Sequence, residues 1–139
     1  MLLRPFEDIG IDDAERPTIF EDLLKSIGAE PVEFPNKIEC CGAHLAMNNE
    51  EIVERLSGNV MTSAVGCGAE LIVTTCPLCQ YNLEKSQGRV VESTPGYNEV
   101  PVVYFTQVLG LALGHNIEKL GFEKCQGDAI GFFKKKGLL

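Results

Sequence analysis

The feature of this sequence that most constrains its fold is an alternation of helix-like and strand-like segments. Apolar residues recur at helical spacing after Thr18 and again after Asn48 or Asn49. Residues 30–35, 70–75 and 100–105 instead have the short apolar pattern of strands. This order predicts an α/β fold in which a parallel β-sheet of three to four strands has helices on both faces, a Rossmann- or flavodoxin-like layering.

The length of 139 residues favours a single domain that covers residues 1–139. Pro77 is typical of a first helical position and predicts a third helix that begins at Cys76–Cys79. A fourth helix is expected from Thr106 to about Gly114. Residues 88–99 are predicted to form a polar loop, and the chain from about Asn116 is expected to be irregular or weakly helical.

Charge and hydropathy disfavour nucleic-acid binding and a membrane-spanning helix. The formal net charge of −8 disfavours nucleic acid, because phosphate binders present a basic face. The one basic run, Lys134–Lys136, is interpreted as a solvated tail. No apolar run approaches the ~20 residues of a membrane helix, and the N-terminus lacks the pattern of a signal peptide. These features predict a cytoplasmic protein, with peripheral attachment to a membrane complex left open.

The cysteines carry the chemistry of this sequence. Two of the six follow one another in Cys40-Cys41-Gly42, and two more form the Cys76-x-x-Cys79 motif. Such a set in a chain without a secretion signal favours metal binding or redox chemistry over a disulfide framework. Each pair follows a predicted strand, and sites in parallel sheets form at the carboxyl ends of strands. We therefore expect the four thiols to share one site.

Thiolates in this arrangement suit iron–sulfur clusters, zinc or copper(I). The predicted helix start at Cys76 adds positive potential that lowers the pKa of a thiol. Gly42 lets the backbone pass close to a bulky inorganic core, and the adjacent thiols of Cys40 and Cys41 reach two different irons. Two alternatives stay open, namely a zinc-binding structural module held by four cysteines and a thioredoxin-like dithiol that uses Cys76 and Cys79.

Four further metal-capable side chains are assigned structural roles. Cys67 and Cys125 are interpreted as small buried apolar residues, which is a common role for free cysteine. His44 and His115 are interpreted as capping or solvated side chains.

Together, Cys40-Cys41-Gly42 and Cys76-Pro77-Leu78-Cys79 resemble the cysteine-rich "CCG" domain family, and the surrounding sequence resembles the C-terminal copy of that domain in the B subunit of heterodisulfide reductase. The resemblance implies a non-cubane 4Fe–4S cluster, with Cys40, Cys41, Cys76 and Cys79 matching four of the five cysteine ligands. It also implies an oxidoreductase that reduces the heterodisulfide of coenzymes M and B. The implied partners are iron–sulfur and flavin subunits and a small-molecule disulfide or thiol.

One departure from the family pattern concerns the fifth cysteine. In the family it precedes a sequence like that of residues 2–5, so here it would fall before Met1. We therefore expect an N-terminally truncated domain whose cluster is incomplete or absent, and an isolated chain that is inactive. A missing strand would leave an open sheet edge, which predicts a homodimer. The expected contacts are that edge, residues Met1–Phe6, or the apolar tail at Phe132, Phe133, Leu138 and Leu139.

Overall fold

The computed structural model describes residues 12, 13 and 15–139, which divide after Pro31 into two compact units. Helix α1 lies in the first unit, and every other element lies in the second. The helices are α1 (Ile19–Ser26), α2 (Glu50–Gly66), α3 (Pro77–Ser93), α4 (Phe105–Ala112) and α5 (Ala129–Lys135), and the strands are β1 (Ile72–Thr74) and β2 (Val102–Tyr104). Short 3-10 turns occupy Ala43–Leu45, Ile117–Lys119 and Phe122–Lys124. Over these described residues, no helix is both long and apolar enough to cross a membrane.

Helix α1 begins after Thr18, as predicted, and its first backbone N–H groups are bonded by the side chain of Asp12. The carboxylate of Asp12 accepts the backbone N–H groups of Thr18 and Ile19, each at 2.7 Å. The hydroxyl of Thr18 makes no capping hydrogen bond. An acceptor placed at the first free N–H groups stabilises a helix wherever it comes from in the sequence.

The second unit is built around a strand–helix–strand crossover. Strands β1 and β2 pair in parallel, with Ile72 opposite Val102 and Thr74 opposite Tyr104, and α3 connects them. The central core comprises side chains of α2, α3, both strands and the segment just before β2: Val60, Met61, Ala64, Ile72, Leu83, Val100 and Val102. This core fixes the end of β1 and the start of α3 relative to α2.

Helices α2 and α3 run in the same direction along this core. Lys85 pairs with Glu50, and Arg89 pairs with Glu54, so both pairs join residues 35 positions apart. A constant offset over one helical turn requires parallel helices. The Lys85–Glu50 pair is exposed, so it contributes little stability, and the pairs mainly report the register of the two helices.

The expectation of a three- to four-stranded sheet with Rossmann-like layering is wrong. The sheet in the described residues has two strands, and residues 30–35 form no strand. Pro31 and Pro35 lie within this segment, on either side of residues 32–34, and proline has no N–H group to donate to a sheet. Phe34 nevertheless packs against the core, so the apolar pattern reflected burial of one side chain and not strand pairing.

The expected polar loop at residues 88–99 is also wrong over its first half, because α3 continues to Ser93. A methyl group added to Gly88 would contact nothing, so this residue faces open space in the helix, where glycine costs only about 1 kcal/mol relative to alanine. Gln87 and Val90 on either side are buried. Their packing outweighs the weak helix propensity of glycine.

The C-terminal region contains a helix beyond its 3-10 turns. Asp128 caps α5 by accepting the N–H of Gly131 at 2.8 Å. The rings of Phe133 and Phe122 lie 5.2 Å apart between centroids, and both are 2% exposed. Phe133 is therefore not available for the dimer contact that its apolar character suggested. Residues Met1–Phe6, another of the three expected contacts, lie outside the described residues.

Candidate cysteine site

The site is organised by the turn from β1 into α3. The backbone N–H of Cys76 donates to the hydroxyl of Thr74 at 3.2 Å, and the Tyr104 hydroxyl donates to the carbonyl of Thr75 at 2.9 Å. Cys76 is then the extended N-cap of α3, and Pro77 is its first residue, as predicted. These contacts place Cys76 at the positive end of a 17-residue helix, with Cys79 in its first turn.

The vicinal pair is held against α2 by Gly42. This glycine has φ +78°, and a Cβ atom built on it would lie 2.7 Å from Cδ1 of Leu56. Both the backbone conformation and the close approach disfavour a larger side chain. The close neighbour is thus a leucine of α2, where the sequence had suggested an inorganic core. Cys41 is 2% exposed in this position.

Cys79 lies near enough to both Cys41 and Cys76 for its thiol to interact electrostatically with each of them. The Cys79 thiol interacts with the thiol and backbone N–H of Cys41 and with the thiol of Cys76. Cys41 also receives a hydrogen bond from Nδ2 of Asn82, with 3.4 Å between nitrogen and sulfur. Since Asn82 follows Cys79 by three residues, both lie on the face of α3 that meets Cys41.

The two thiols of the Cys-x-x-Cys motif have opposite pKa shifts. The backbone N–H of Cys79, assisted by that of Leu78, lowers the pKa of Cys76, although its geometry falls short of a capping hydrogen bond. Burial, together with the neighbouring Cys41 thiol, raises the pKa of Cys79 to about 12. The first thiol is therefore the more acidic and the second the more protected.

Cys40 stands apart from the other three. It is exposed, and its sulfur accepts the N–H of Gly42 at 3.4 Å. No interaction described for this chain joins Cys40 to Cys76 or Cys79. The sequence argument placed this pair at a strand end, and that premise is wrong because no strand precedes it in the described residues.

The remaining metal-capable side chains lie elsewhere. Cys67 ends α2 and is exposed, contrary to its expected burial. Cys125 is half-buried between the amides of Gln80 at 3.6 Å and Gln107 at 3.8 Å, and burial raises its pKa. His44 and His115 are exposed. An open polar groove between α2 and α3 is lined by none of the cysteines.

The thiol groups of this site are the type of ligand that an iron–sulfur centre uses, but they are not gathered tightly around one point. Soft thiolates select iron–sulfur clusters and zinc. Within the described residues, no three His, Cys, Asp or Glu side chains are grouped tightly enough to hold a metal ion. A single zinc ion requires four sulfurs at about 2.3 Å. A cluster distributes its ligands over several irons, so the three linked thiols are compatible with it, whereas Cys40 lies apart from them.

Asn82, Gln80 and Gln107 were not identified from the sequence. Each donates to a cysteine sulfur. The only available signal was spacing, because Asn82 follows Cys79 by three residues, as a side chain on the same helical face does.

Comparison with protein-family models matches residues 6–84 to the cysteine-rich domain called CCG. This range is more than half of the chain and contains Cys40-Cys41-Gly42 and both cysteines of the Cys-x-x-Cys motif.

Characterised relatives come from several reductases. The chain is 34% identical over 127 residues to the 8-methylmenaquinol:fumarate reductase membrane anchor subunit of Wolinella succinogenes, with 91% of this chain and 45% of that protein covered. It is 31% identical over 137 residues to the B subunit of the ferredoxin:CoB-CoM heterodisulfide reductase of Methanosarcina mazei, with 96% and 45% covered. A protein of Archaeoglobus profundus, named as similar to the B subunit of heterodisulfide reductase, is 29% identical, with 78% and 37% covered. The chain thus spans less than half the length of these relatives.

Proposed function

Because this chain belongs to the cysteine-rich CCG domain family, we propose that it is an electron-transfer module of an oxidoreductase and holds an iron–sulfur cluster through cysteine thiolates. The proposed ligands are Cys40, Cys41, Cys76 and Cys79. The proposed unit is one CCG domain spanning residues 1–139.

The observation that carries this proposal is the proximity of the Cys41 and Cys79 thiols, whose interaction helps to raise the pKa of Cys79. These residues come from segments 38 positions apart, and each belongs to a different motif. Gly42 allows the segment that contains Cys41 to pack closely against α2, and the turn after β1 positions the segment that contains Cys79. Two independent structural features therefore bring these two thiols near each other, and this supports the proposal that they are ligands of one centre.

The cluster type we propose is the non-cubane 4Fe–4S form that the family resemblance implies. When bound, such a cluster supplies one-electron transfer and iron atoms that bind sulfur. The chain itself provides the N-terminus of α3, whose potential stabilises negative charge at Cys76. It also provides the apolar core beneath Cys79, which limits access of water to that sulfur.

For the intact protein we propose disulfide reduction, because two relatives are named as heterodisulfide reductase subunits or as similar to them. Two electrons and two protons convert one disulfide into two thiols, so electrons must arrive from another subunit. The proposed partners are iron–sulfur and flavin subunits. We propose a cytoplasmic position. One relative is named as a membrane anchor subunit, and this supports peripheral contact of the protein with a membrane complex.

A second candidate is a thioredoxin-like dithiol at Cys76 and Cys79. The opposite pKa shifts of these two thiols favour it, because a redox dithiol needs one acidic, accessible sulfur and one protected sulfur. It gives no role to Cys40 or Cys41, so we place it second. A zinc module held by the same four cysteines is the third alternative.

Anaerobic purification followed by reconstitution with ferrous iron and sulfide separates these functions. The expected result is iron and acid-labile sulfide below the four irons per chain of a complete cluster, because the sequence matches four of the family's five cysteine ligands, with visible absorbance and an EPR signal after reduction. A colourless protein with one zinc per chain would contradict the proposal and support the zinc module. A metal-free protein that reduces a model disulfide with Cys76 and Cys79 would support the dithiol.

A further inference from the structure

Asn82 is a buried polar side chain that bonds directly to a cysteine sulfur of this site. It lies in the second turn of α3 and is 9% exposed. Its Nδ2 donates to the sulfur of Cys41 at 3.4 Å, and that contact is buried. Buried amides need hydrogen-bond partners, and an anionic sulfur is a stronger acceptor than a neutral thiol.

Asn82 and Cys79 approach Cys41 from the same side. Cys79 and Asn82 lie three residues apart on one helical face, and both reach Cys41 from α3. Gly42 fixes the opposite side of the same segment against Leu56. The sulfur of Cys41 is therefore held between two helices, with one neutral donor aimed at it.

We propose that Asn82 is a positioning residue for the iron–sulfur centre: its amide orients the Cys41 sulfur toward Cys79 and raises the reduction potential of the centre that these cysteines hold. This inference rests on the proposed function. Reduction adds negative charge to the ligand sulfurs, so a hydrogen-bond donor stabilises the reduced state more than the oxidised state. Low dielectric around a buried contact strengthens that difference.

The test uses two variants of the 139-residue chain that both remove the donor. Asn82→Leu replaces the amide with an apolar group of similar size, and Asn82→Asp keeps the shape while placing a carboxylate beside the sulfur. Ser86→Ala is the matched control, because Ser86 is buried one turn further along α3 and bonds only to the carbonyl of Leu83 in the contacts described for it. Each protein is reconstituted anaerobically with ferrous iron and sulfide.

The main measurement is the midpoint potential, obtained by redox titration followed by EPR. For Asn82→Leu we expect the reduced form to lose about threefold to tenfold in population relative to the oxidised form. This corresponds to a shift of about 30–60 mV to lower potential, at 59 mV per tenfold for one electron. Asn82→Asp should shift further in the same direction, and Ser86→Ala should match the wild type. Because both variants lack the donor, the test can still be made if one of them does not fold.

Two outcomes overturn the inference in distinguishable ways. Uptake of iron by the wild type, with equal potentials in all variants, would refute the role of Asn82 and leave the proposed function standing. Absence of iron uptake by the wild type would refute both. A purely structural role for Asn82 would lower the stability of the Asn82→Leu variant without moving the potential of the folded protein.

Discussion

Replacing Gly42 with alanine tests the packing that holds the vicinal cysteines. The residue has φ +78°, and the new Cβ would lie 2.7 Å from Cδ1 of Leu56. The left-handed conformation costs an L-residue roughly 1–2 kcal/mol, and this is partly offset by the lower entropy of the unfolded chain, so about 1 kcal/mol remains. The clash adds about 1 kcal/mol, the low end for overpacking, because a terminal methyl group can move. We therefore expect Gly42→Ala to lower the free energy of unfolding by about 2 kcal/mol.

Gly68→Ala is the matched control. Gly68 has φ +93° but no atom within 4 Å of its added Cβ, so it carries the conformational cost without the clash. Urea unfolding of the reduced, metal-free proteins measures both variants, and Gly68→Ala should lose about 1 kcal/mol. In a Leu56→Ala background, Gly42→Ala should lower the free energy of unfolding by less than it does in the wild type, because the clashing methyl group is gone. Equal losses at Gly42 and Gly68 would show that Leu56 does not confine the cysteine segment.

Two further predictions concern polar groups buried in α3. Burial raises the pKa of Glu84, whose carboxyl accepts the N–H of Gln126 at 3.0 Å. The protonated carboxyl therefore favours the folded state at pH values below its unfolded pKa of 4.5. This contribution is lost as the pH rises through the pKa of the folded state. Wild-type stability, measured by urea unfolding across pH 3–8, should therefore fall relative to Glu84→Gln as pH rises, and parallel curves would contradict the shift. Gln87 bonds both the N–H and the carbonyl of Val100 at 3.0 Å, and Gln87→Ala should lower stability by about 3 kcal/mol because two backbone groups lose their partner. Tyr97→Phe removes only the hydroxyl contact to Gln87 and should lose about 1 kcal/mol, so similar losses in the two variants would refute the assignment.

The sequence was most informative where a local rule decides the structure. Asn49 caps α2 through its side chain, and Pro77 begins α3, because capping and the missing N–H of proline act within one turn. The strand segments Ile72–Thr74 and Val102–Tyr104 were also predicted, since continuous apolar runs between helices favour buried parallel strands.

The errors arose where tertiary packing decides. The segment around Phe34 has an apolar pattern, but flanking prolines prevent pairing, and one ring packs on the core without a strand. Gly88 suggested a loop, whereas burial of Gln87 and Val90 keeps α3 helical. The contact between Cys41 and Asn82 joins residues 41 positions apart, and no local pattern reports such a contact.

The most direct test of the central claim is an iron count across single cysteine variants after anaerobic reconstitution. Cys41→Ala and Cys79→Ala remove the two thiols that the fold brings into contact, whereas Cys67→Ala removes an exposed thiol at the end of α2. The account predicts that the Cys67 variant binds as much iron and sulfide as the wild type and that the other two lose most of it. Equal iron content in all three variants would contradict the claim that these cysteines hold the centre.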